Sequence, residues 1–210
     1  MLLQRPIGVS SVALARPWGT RSVFNLSRSI KALKTASSSS SAGSAQKYTI
    51  SKRFQHPQPL MYALVSRVDL YHEFVPYCTS SFITTRDPAT GQPTVAGLRV
   101  GFQAFDEEFT CELDCVPSQT VVAKSISHSL FHFLETEWQI VPTDGVNGGA
   151  DHCVATLNLR YEFKSTLYNH VSSLFAKQVA KLLTQAFERR AYEVARDDSL
   201  QKRYHEETKK

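Results

Sequence analysis

Histidines are the first residues to consider as catalytic or metal-binding groups in this chain. It contains seven, of which His128 and His132 are four residues apart. Two histidines at this spacing bind one metal ion when they lie on a helix, but this stretch is predicted to be a strand or a turn. His132 falls on the same predicted strand face as Leu134 and Trp138, so it is a candidate acid or base. A lone inward-facing histidine is more often a hydrogen-bonded part of the core.

Carboxylates form two groups along the chain. Asp106, Glu107 and Glu108 lie at a predicted turn, whereas Glu135 and Glu137 alternate onto the solvent face of a predicted strand. Neighbouring acids do acid–base chemistry when a pocket shifts their pKa values, so on exposed positions we interpret them as solvated charge. The sequence contains neither a nucleophile-elbow motif nor a glycine-rich phosphate loop.

The four cysteines, Cys78, Cys111, Cys115 and Cys153, include no C-x-x-C pair. Cys111 and Cys115 lie in a strand-like stretch, where four residues span about 13 Å, too far for one metal ion to join them. We therefore predict four small, buried thiols in a reducing compartment.

The positive charge of the chain is confined to its beginning. The formal net charge is +5, yet residues 1–46 contain six basic and no acidic residue. The remaining residues include 18 basic and 19 acidic side chains, a net charge of −1. A nearly neutral domain lacks the electrostatic attraction that binds nucleic acid, so no nucleic-acid partner is predicted.

The basic leader, residues 1–34, is rich in Arg and Ser and intersperses apolar residues among its charges. This composition is typical of a mitochondrial transit peptide, with a disordered tail as the alternative. The Ser-rich segment 35–46 predicts a flexible linker. No run of about 18 apolar residues occurs, so no transmembrane helix is predicted.

One domain, residues 47–196, is predicted after the linker. It begins with a strand at 47–54, an amphipathic helix over 60–68 and a second short helix over 70–75. The charged tail, residues 197–210, is expected to be frayed.

The middle of the domain has the alternating pattern and turn residues of a β-meander. Six strands are predicted at 77–86, 94–105, 108–116, 119–127, 131–141 and 152–164. After Ser165 the period becomes helical, which predicts one long amphipathic helix of about 30 residues.

This order of elements predicts an α+β fold in which the long helix covers the apolar face of an antiparallel sheet of about seven strands. Such a sheet curls and is more than about 25 Å across, whereas a helix is only about 10 Å wide. We therefore expect a hollow between the sheet and the helix, closed at one end by the two short helices.

The strand FHFLETEWQIVP, residues 131–142, contributes a tryptophan to the covered face. In strand register Leu134, Thr136, Trp138 and Ile140 share that face. Trp138 therefore either lines a ligand cavity or belongs to a solid core.

Three segments together resemble the mitochondrial coenzyme Q-binding protein family of the START-like polyketide cyclase and lipid-transport superfamily. They are LYHEFVPYC (70–78), FHFLETEW (131–138) and LYNHVSSLFAKQVAKLLTQAFERRA (167–191). The resemblance covers about residues 47–195 and depends on the order of these segments, because each is weak alone. It implies a helix-grip fold with a lipid-sized cavity. It also implies non-catalytic binding of ubiquinone (coenzyme Q) or its late prenylated intermediates, in support of respiration and efficient coenzyme Q synthesis.

A polyprenyl tail requires apolar walls, and a quinone ring requires an aromatic surface and one or two donors. Thr136 or Tyr161 is a candidate donor to a quinone oxygen. The candidate ligand-binding residues on the sheet are Phe82, Leu98, Val100, Phe102, Leu113, Leu134, Thr136, Trp138, Leu157, Leu159 and Tyr161. Those on the helix are Val171, Leu174, Phe175, Val179 and Leu182, and a mobile lip is expected at Phe74, Val75 and Pro76.

The expected partners follow from the same resemblance. Ubiquinone is expected as a bound ligand, with no cofactor and no metal. A full tail is longer than the domain can enclose, so the opening should meet a bilayer near residues 74–77 or along the exposed part of the long helix. The expected location is the matrix side of the mitochondrial inner membrane, as a peripheral protein, with the ubiquinone biosynthetic complex as a further partner.

Two other functions remain open. One is a cyclase-type enzyme that acts on an aromatic ubiquinone precursor with His132 or Tyr161 as acid or base. The other is a protein-interaction module, because some bacterial relatives of the family are described as ribosome-associated. The nearly neutral domain disfavours the second.

Overall fold

Seven antiparallel strands form one sheet in the order β1-β7-β6-β5-β4-β3-β2. The computed structural model describes residues 45–102, 105–127, 131–143, 151–164 and 172–205. The strands are β1 (Gln46–Phe54), β2 (Cys78–Arg86), β3 (Pro93–Phe102), β4 (Phe105–Val116), β5 (Thr120–Ser125), β6 (Phe131–Thr143) and β7 (His152–Phe163). Because each strand pairs with its neighbour through an antiparallel ladder, the predicted meander is confirmed.

Four helical segments accompany the sheet in the described part of the chain. They are α1 (Gln58–Ser66), a 3-10 helix (Val68–Glu73), α2 (Ser172–Arg196) and α3 (Asp198–His205). Pro57 precedes α1 and a second proline lies in its first turn, where a missing backbone N–H costs nothing. The two short helices after β1 and the long helix near the end confirm the predicted α+β, START-like architecture.

The covered face of the sheet, called here the inner face, follows from the alternation along the strands. In β7 the buried positions are Cys153, Ala155, Leu157, Leu159, Tyr161 and Phe163, with less buried residues between them. The opposite face carries polar pairs such as Ser51 with Thr156, whose hydroxyls are 2.8 Å apart. One apolar and one polar face per strand is the pattern of an antiparallel sheet covered on one side.

The buried residues of the inner face fall into two clusters. The larger cluster joins α1, the 3-10 helix and the second half of α2 to the sheet, with Trp138, Leu157 and Phe187 among its members. The smaller cluster comprises Phe131, Leu134, Leu159, Tyr161 and Phe163, with Tyr48 and Phe109 packed against it.

The prediction of a frayed tail from Asp197 is wrong for residues 198–205, which form α3. Asp197 caps this helix, because its Oδ1 accepts hydrogen bonds from the backbone N–H of Ser199 at 2.8 Å and of Leu200 at 3.4 Å. The Tyr204 ring is only 2% exposed. Its hydroxyl accepts a hydrogen bond of 3.0 Å from Nε of Arg190 in α2.

Other predictions fall outside the described residues. The transit peptide (1–34) lies wholly outside them, and so does the linker (35–46) except for its last two residues. Within the part of the chain that the structure describes, no helix is both long and apolar enough to cross a membrane.

Candidate functional site

Strand register shows which inner-face residues are neighbours. Thr136 of β6 pairs with Leu159 of β7 on one side and with Ala123 of β5 on the other, and Ala123 pairs with Leu113 of β4. Directly paired residues of an antiparallel sheet lie on the same face. These residues therefore form a row across the inner face, and Trp138 belongs to the next row along.

Trp138 lies in the larger cluster, where the long helix α2, called here the closing helix, contacts it. The Trp138 and Phe187 ring centroids are 5.1 Å apart, and the two side chains are 6% and 1% exposed. Phe187 also packs against Phe74 at 5.1 Å and Tyr71 at 5.3 Å. The expectation of a mobile lip at Phe74 is wrong, because its ring is buried in this cluster, and the expected hollow does not extend over Trp138.

Aromatic rings fill the inner face at the opposite end of the sheet. Phe131 stacks on Phe163 at 4.7 Å and lies 6.4 Å from Tyr161 and 6.1 Å from Phe109. We call Phe109, Phe131, Tyr161 and Phe163 the aromatic wall. Their edge-to-face and stacked contacts hold the rings in fixed positions, so they present a stable aromatic surface.

Short side chains occupy the inner face between the two clusters. Thr136, Ala123, Ser125 and Cys111 come from three neighbouring strands and are all half-buried. We call these four residues the small-residue floor. Ala123 packs against the larger cluster. Short side chains take up little of the volume above the sheet, so a cavity can form here if the helix does not fill it.

Two apolar residues of the closing helix, Val179 and Leu182, are half-buried like the residues of the small-residue floor. Neither is among the described members of the two clusters. They precede Phe187 by about 8–12 Å along the helix axis, toward the beginning of α2. The small-residue floor lies between the Trp138–Phe187 contact and the aromatic wall, and we call the region that it borders with these two helix residues the hollow.

Phe82 does not line this hollow, contrary to prediction. It pairs with Gly97, which lies between the inner-face residues Ala96 and Leu98 and therefore faces outward. A Cβ atom built on Gly97 would be 2.3 Å from Cζ of Phe82, so the ring lies over the glycine on the outer face. A bulge between Cys78 and Ser80 shifts the alternation before Phe82, so Cys78 faces inward and Phe82 faces outward.

His132 also faces away from the hollow, contrary to prediction. Phe131 pairs with Phe163 and Phe133 with Glu162, so β6 has one extra residue at this point. This bulge turns Phe131 inward, where it is 8% exposed, and leaves His132 exposed to solvent.

The remaining predicted site residues divide among the clusters and the hollow. Leu113 and Leu157 are members of the larger cluster, with Val75 and Leu98 packed against it. Leu134, Leu159 and Tyr161 are in the smaller cluster. Val100 and Pro76 are half-buried. The side chains of Phe102, Leu174 and Phe175, and the whole of Val171, lie outside the described residues.

The candidate site derived from the sequence omitted several inner-face residues. Phe131 was hidden by the bulge, because alternation counted back from Trp138 selects His132 instead. Regular alternation in β7 and β4 predicts that Phe163, Phe109 and Cys111 face inward, but it does not distinguish site residues from core. The contact of Phe187 with Trp138 required tertiary information, since 49 residues separate the two positions in the chain.

The ionisable groups of the described residues do not form a catalytic constellation in the hollow. Burial raises the pKa of the Cys111 thiol to about 11, so it is protonated at neutral pH. The outer-face carboxylates are paired, Asp106 with Arg99 at 2.6 Å and Glu135 with Arg160 at 3.0 Å. Hydrogen bonds from Arg99 lower the pKa of Asp106. Within the described ranges no group of three His, Cys, Asp or Glu side chains could hold a metal ion.

A groove of about 330 Å³ lies elsewhere, on strands β3, β4 and β5. Its lining includes Val95, Glu112, Asp114, Val122 and Lys124. Because these residues alternate with the inner-face positions, the groove belongs to the polar outer face. Charged walls open to solvent do not suit a hydrocarbon ligand.

An antiparallel sheet of seven strands that packs its apolar face on a long C-terminal helix defines the START-like class of lipid-binding and cyclase folds. Residues 54–188 match the family described as polyketide cyclase / dehydrase and lipid transport. A START superfamily protein from Mycobacterium smegmatis has a similar structure, with a TM-score of 0.63 and 18% identity over 70% of this chain and 98% of that protein. At this identity the similarity concerns the fold alone.

Sequence similarity is higher to mitochondrial proteins of two fungi. Coenzyme Q-binding protein COQ10 of Saccharomyces cerevisiae is 45% identical over 154 residues, which cover 72% of this chain and 73% of the relative. The Eremothecium gossypii protein of the same name is 42% identical over 156 residues, 72% of this chain and 75% of the relative. The chain therefore belongs to the coenzyme Q-binding protein family, as its three signature segments indicated.

Proposed function

We propose that this protein binds ubiquinone, or a late prenylated intermediate, in the hollow and does not transform it. The observation that carries the proposal is the small-residue floor between two hydrophobic clusters, in a chain whose relatives are named coenzyme Q-binding proteins. In this proposal the START-like fold encloses the ligand in the hollow, because a prenylated quinone requires a largely apolar cavity with a few polar groups.

The hollow suits both parts of the ligand. A prenyl tail gains roughly 25 cal/mol for each Å² removed from water, and Val179, Leu182 and the floor offer such a surface. The ring can stack against the aromatic wall. Thr136 is half-buried on the floor and is the proposed donor to one quinone oxygen, with Tyr161 beside it as the second candidate.

The ligand is only partly enclosed in this proposal. A domain of about 150 residues has a radius of gyration of about 15 Å, which is shorter than a long polyprenyl tail. The tail must then leave the hollow and remain in a bilayer. The relatives' names place them in the mitochondrion, and within it we propose a peripheral position on the matrix side of the inner membrane. There it would support respiration and coenzyme Q synthesis, in contact with the ubiquinone biosynthetic complex.

The structure removes His132 as the acid or base of the cyclase-type alternative. His132 is exposed on the outer face, so it does not serve as acid or base on the inner face, and Tyr161, which is 2% exposed in the smaller cluster, is the residue left for that alternative. Binding without chemistry therefore fits the described residues better than acid–base catalysis.

Lipid extraction of the purified protein, followed by mass spectrometry, tests the proposal. Wild-type protein should carry quinone, and Ala123→Leu, which fills the floor, should lower the quinone content about tenfold. Lys124→Leu adds the same side chain to the outer face of the same strand and should leave the content unchanged. Absence of quinone from the wild type, or equal content in both variants, would contradict the proposal.

A further inference from the structure

The outer groove on strands β3, β4 and β5 combines apolar and acidic side chains on one surface. It has a volume of about 330 Å³, and its lining includes Val95, Glu112, Asp114, Val122 and Lys124. The two valines are half-buried, whereas the three charged side chains are exposed. In the ladder Val95 lies opposite Glu112, and Val122 lies opposite Asp114. Each carboxylate therefore has an apolar neighbour on an adjoining strand.

The charged side chains of the groove have no partners among the residues that the structure describes. Elsewhere on the outer face acids are paired, as Glu135 is with Arg160 at 3.0 Å. The side chains of Glu112, Asp114 and Lys124 form neither a hydrogen bond nor an ion pair with any other described residue. Glu112 and Lys124 lie directly opposite each other and still do not pair. The groove therefore offers two adjacent carboxylates to a cation from outside.

The spacing of the two carboxylates matches that of arginines in an extended peptide. Glu112 and Asp114 are two residues apart on β4, so their side chains project from the same face about 7 Å apart. Arginines at positions i and i+2 of an extended segment share one face at the same spacing. A guanidinium group binds a carboxylate through two parallel hydrogen bonds, while the aliphatic part of arginine packs on apolar surface. Val95 and Val122 provide that surface beside the acids.

We propose that the outer groove is a docking site for an extended, arginine-bearing segment of a partner protein. Free arginine is a poorer occupant, because small molecules bind in enclosed cavities and this groove is open to solvent. Anionic lipids and nucleic acids are repelled, since the two acids outnumber the single lysine. Docking on this face leaves the hollow free, because the groove and the hollow lie on opposite faces of the sheet, so it is independent of quinone binding.

NMR titration of the full chain with short synthetic peptides tests the proposal. The probe is a peptide of Gly and Ser that contains one Arg-Ser-Arg sequence, and a second peptide carries Lys-Ser-Lys instead. The methyl signals of Val95 and Val122 should shift when the arginine peptide is added. The lysine peptide should bind roughly threefold more weakly, because an ammonium group cannot form the two parallel hydrogen bonds. Free arginine should leave the same signals in place.

Neutral variants of the acids provide the matched comparison. Glu112→Gln combined with Asp114→Asn removes both carboxylates from the groove and should weaken binding of the arginine peptide roughly tenfold. Glu135→Gln combined with Glu162→Gln removes the same two charges from the outer face beyond the groove and should bind the peptide as the wild type does. The NMR spectrum of each variant shows directly that its fold is retained.

Four results would overturn the proposal. Unshifted Val95 and Val122 signals would show that the arginine peptide does not bind in the groove. Equal weakening in the two double variants would show that the peptide responds to net charge alone. Equal shifts with the lysine peptide or with free arginine would assign the groove to a simple cation or a small molecule. Shifts that depend on the concentration of the protein alone would assign it to a second copy of the chain.

Discussion

Replacing Phe187 with alanine should destabilise the protein strongly, because this ring joins the closing helix to the sheet. It is 1% exposed and lies 5.1 Å from both Trp138 and Phe74 and 5.3 Å from Tyr71. A buried Phe→Ala change costs about 3–5 kcal/mol, and the loss of three aromatic contacts places this one in the upper half of that range. At about 2–4 °C per kcal/mol, Tm should fall by roughly 8–20 °C.

Urea unfolding followed by tryptophan fluorescence measures this loss. Trp138 reports directly on the contact, since the only other tryptophan in the chain is Trp18. Gln185→Ala, at an exposed position on the same helix, is the matched control and should change the free energy of unfolding by less than about 0.5 kcal/mol. A loss below about 1.5 kcal/mol for Phe187→Ala would refute the conclusion that α2 packs on the sheet at Trp138.

Three further substitutions test other parts of the structure: the Phe82 position, the burial of His56 and the packing of α3. Gly97→Ala places a methyl group 2.3 Å from the Phe82 ring. It should cost about 1–2 kcal/mol in urea unfolding, but not in a Phe82→Ala background, and equal losses in both would contradict the outward position of the ring. Burial lowers the pKa of His56, so below about pH 6.5 the unfolded chain binds the proton more readily than the folded protein. The free energy of unfolding should therefore fall from pH 7 to pH 5, and it should fall by less in His56→Gln. The same pH dependence in both proteins would contradict the lowered pKa of His56. Tyr204→Ala should lower the free energy of unfolding by about 3 kcal/mol, because it removes a ring that is 2% exposed and the hydrogen-bond acceptor for Arg190. If the tail were frayed, the free energy of unfolding would not change.

The architecture was predictable because alternation and helical periodicity record which face of an element is covered. In β7 every second residue from Cys153 to Phe163 is apolar, and all six of these residues are buried. One such face on the sheet and one apolar stripe on a long helix leave little choice of packing.

Individual site residues were less predictable because a bulge reverses the alternation. The extra residue in β6 exchanges Phe131 and His132 between the two faces, although both fit a strand. In β2 the partner of Phe82 is a glycine, whose missing side chain makes room for the ring on the outer face. Only the pairing across strands reveals either feature.

The sequence did not predict α3 because the charged residues that stabilise this helix are distant from it in the sequence. Glu73 Oε1 accepts a hydrogen bond of 2.5 Å from Arg203, and the Arg67 side chain donates to the Arg203 carbonyl. The guanidinium carbons of Arg67 and Arg190 each lie within 6 Å of the centre of the Tyr204 ring. A charged segment read alone indicates solvent exposure, whereas these partners come from the 3-10 helix region and α2.

A crystal structure with a short-tailed ubiquinone tests most directly whether the hollow is a quinone site. The quinone ring should lie within about 4 Å of Thr136 and Ala123, between the aromatic wall and the Trp138–Phe187 contact. Side chains packed solidly over the small-residue floor, or a quinone bound only in the outer groove, would contradict it.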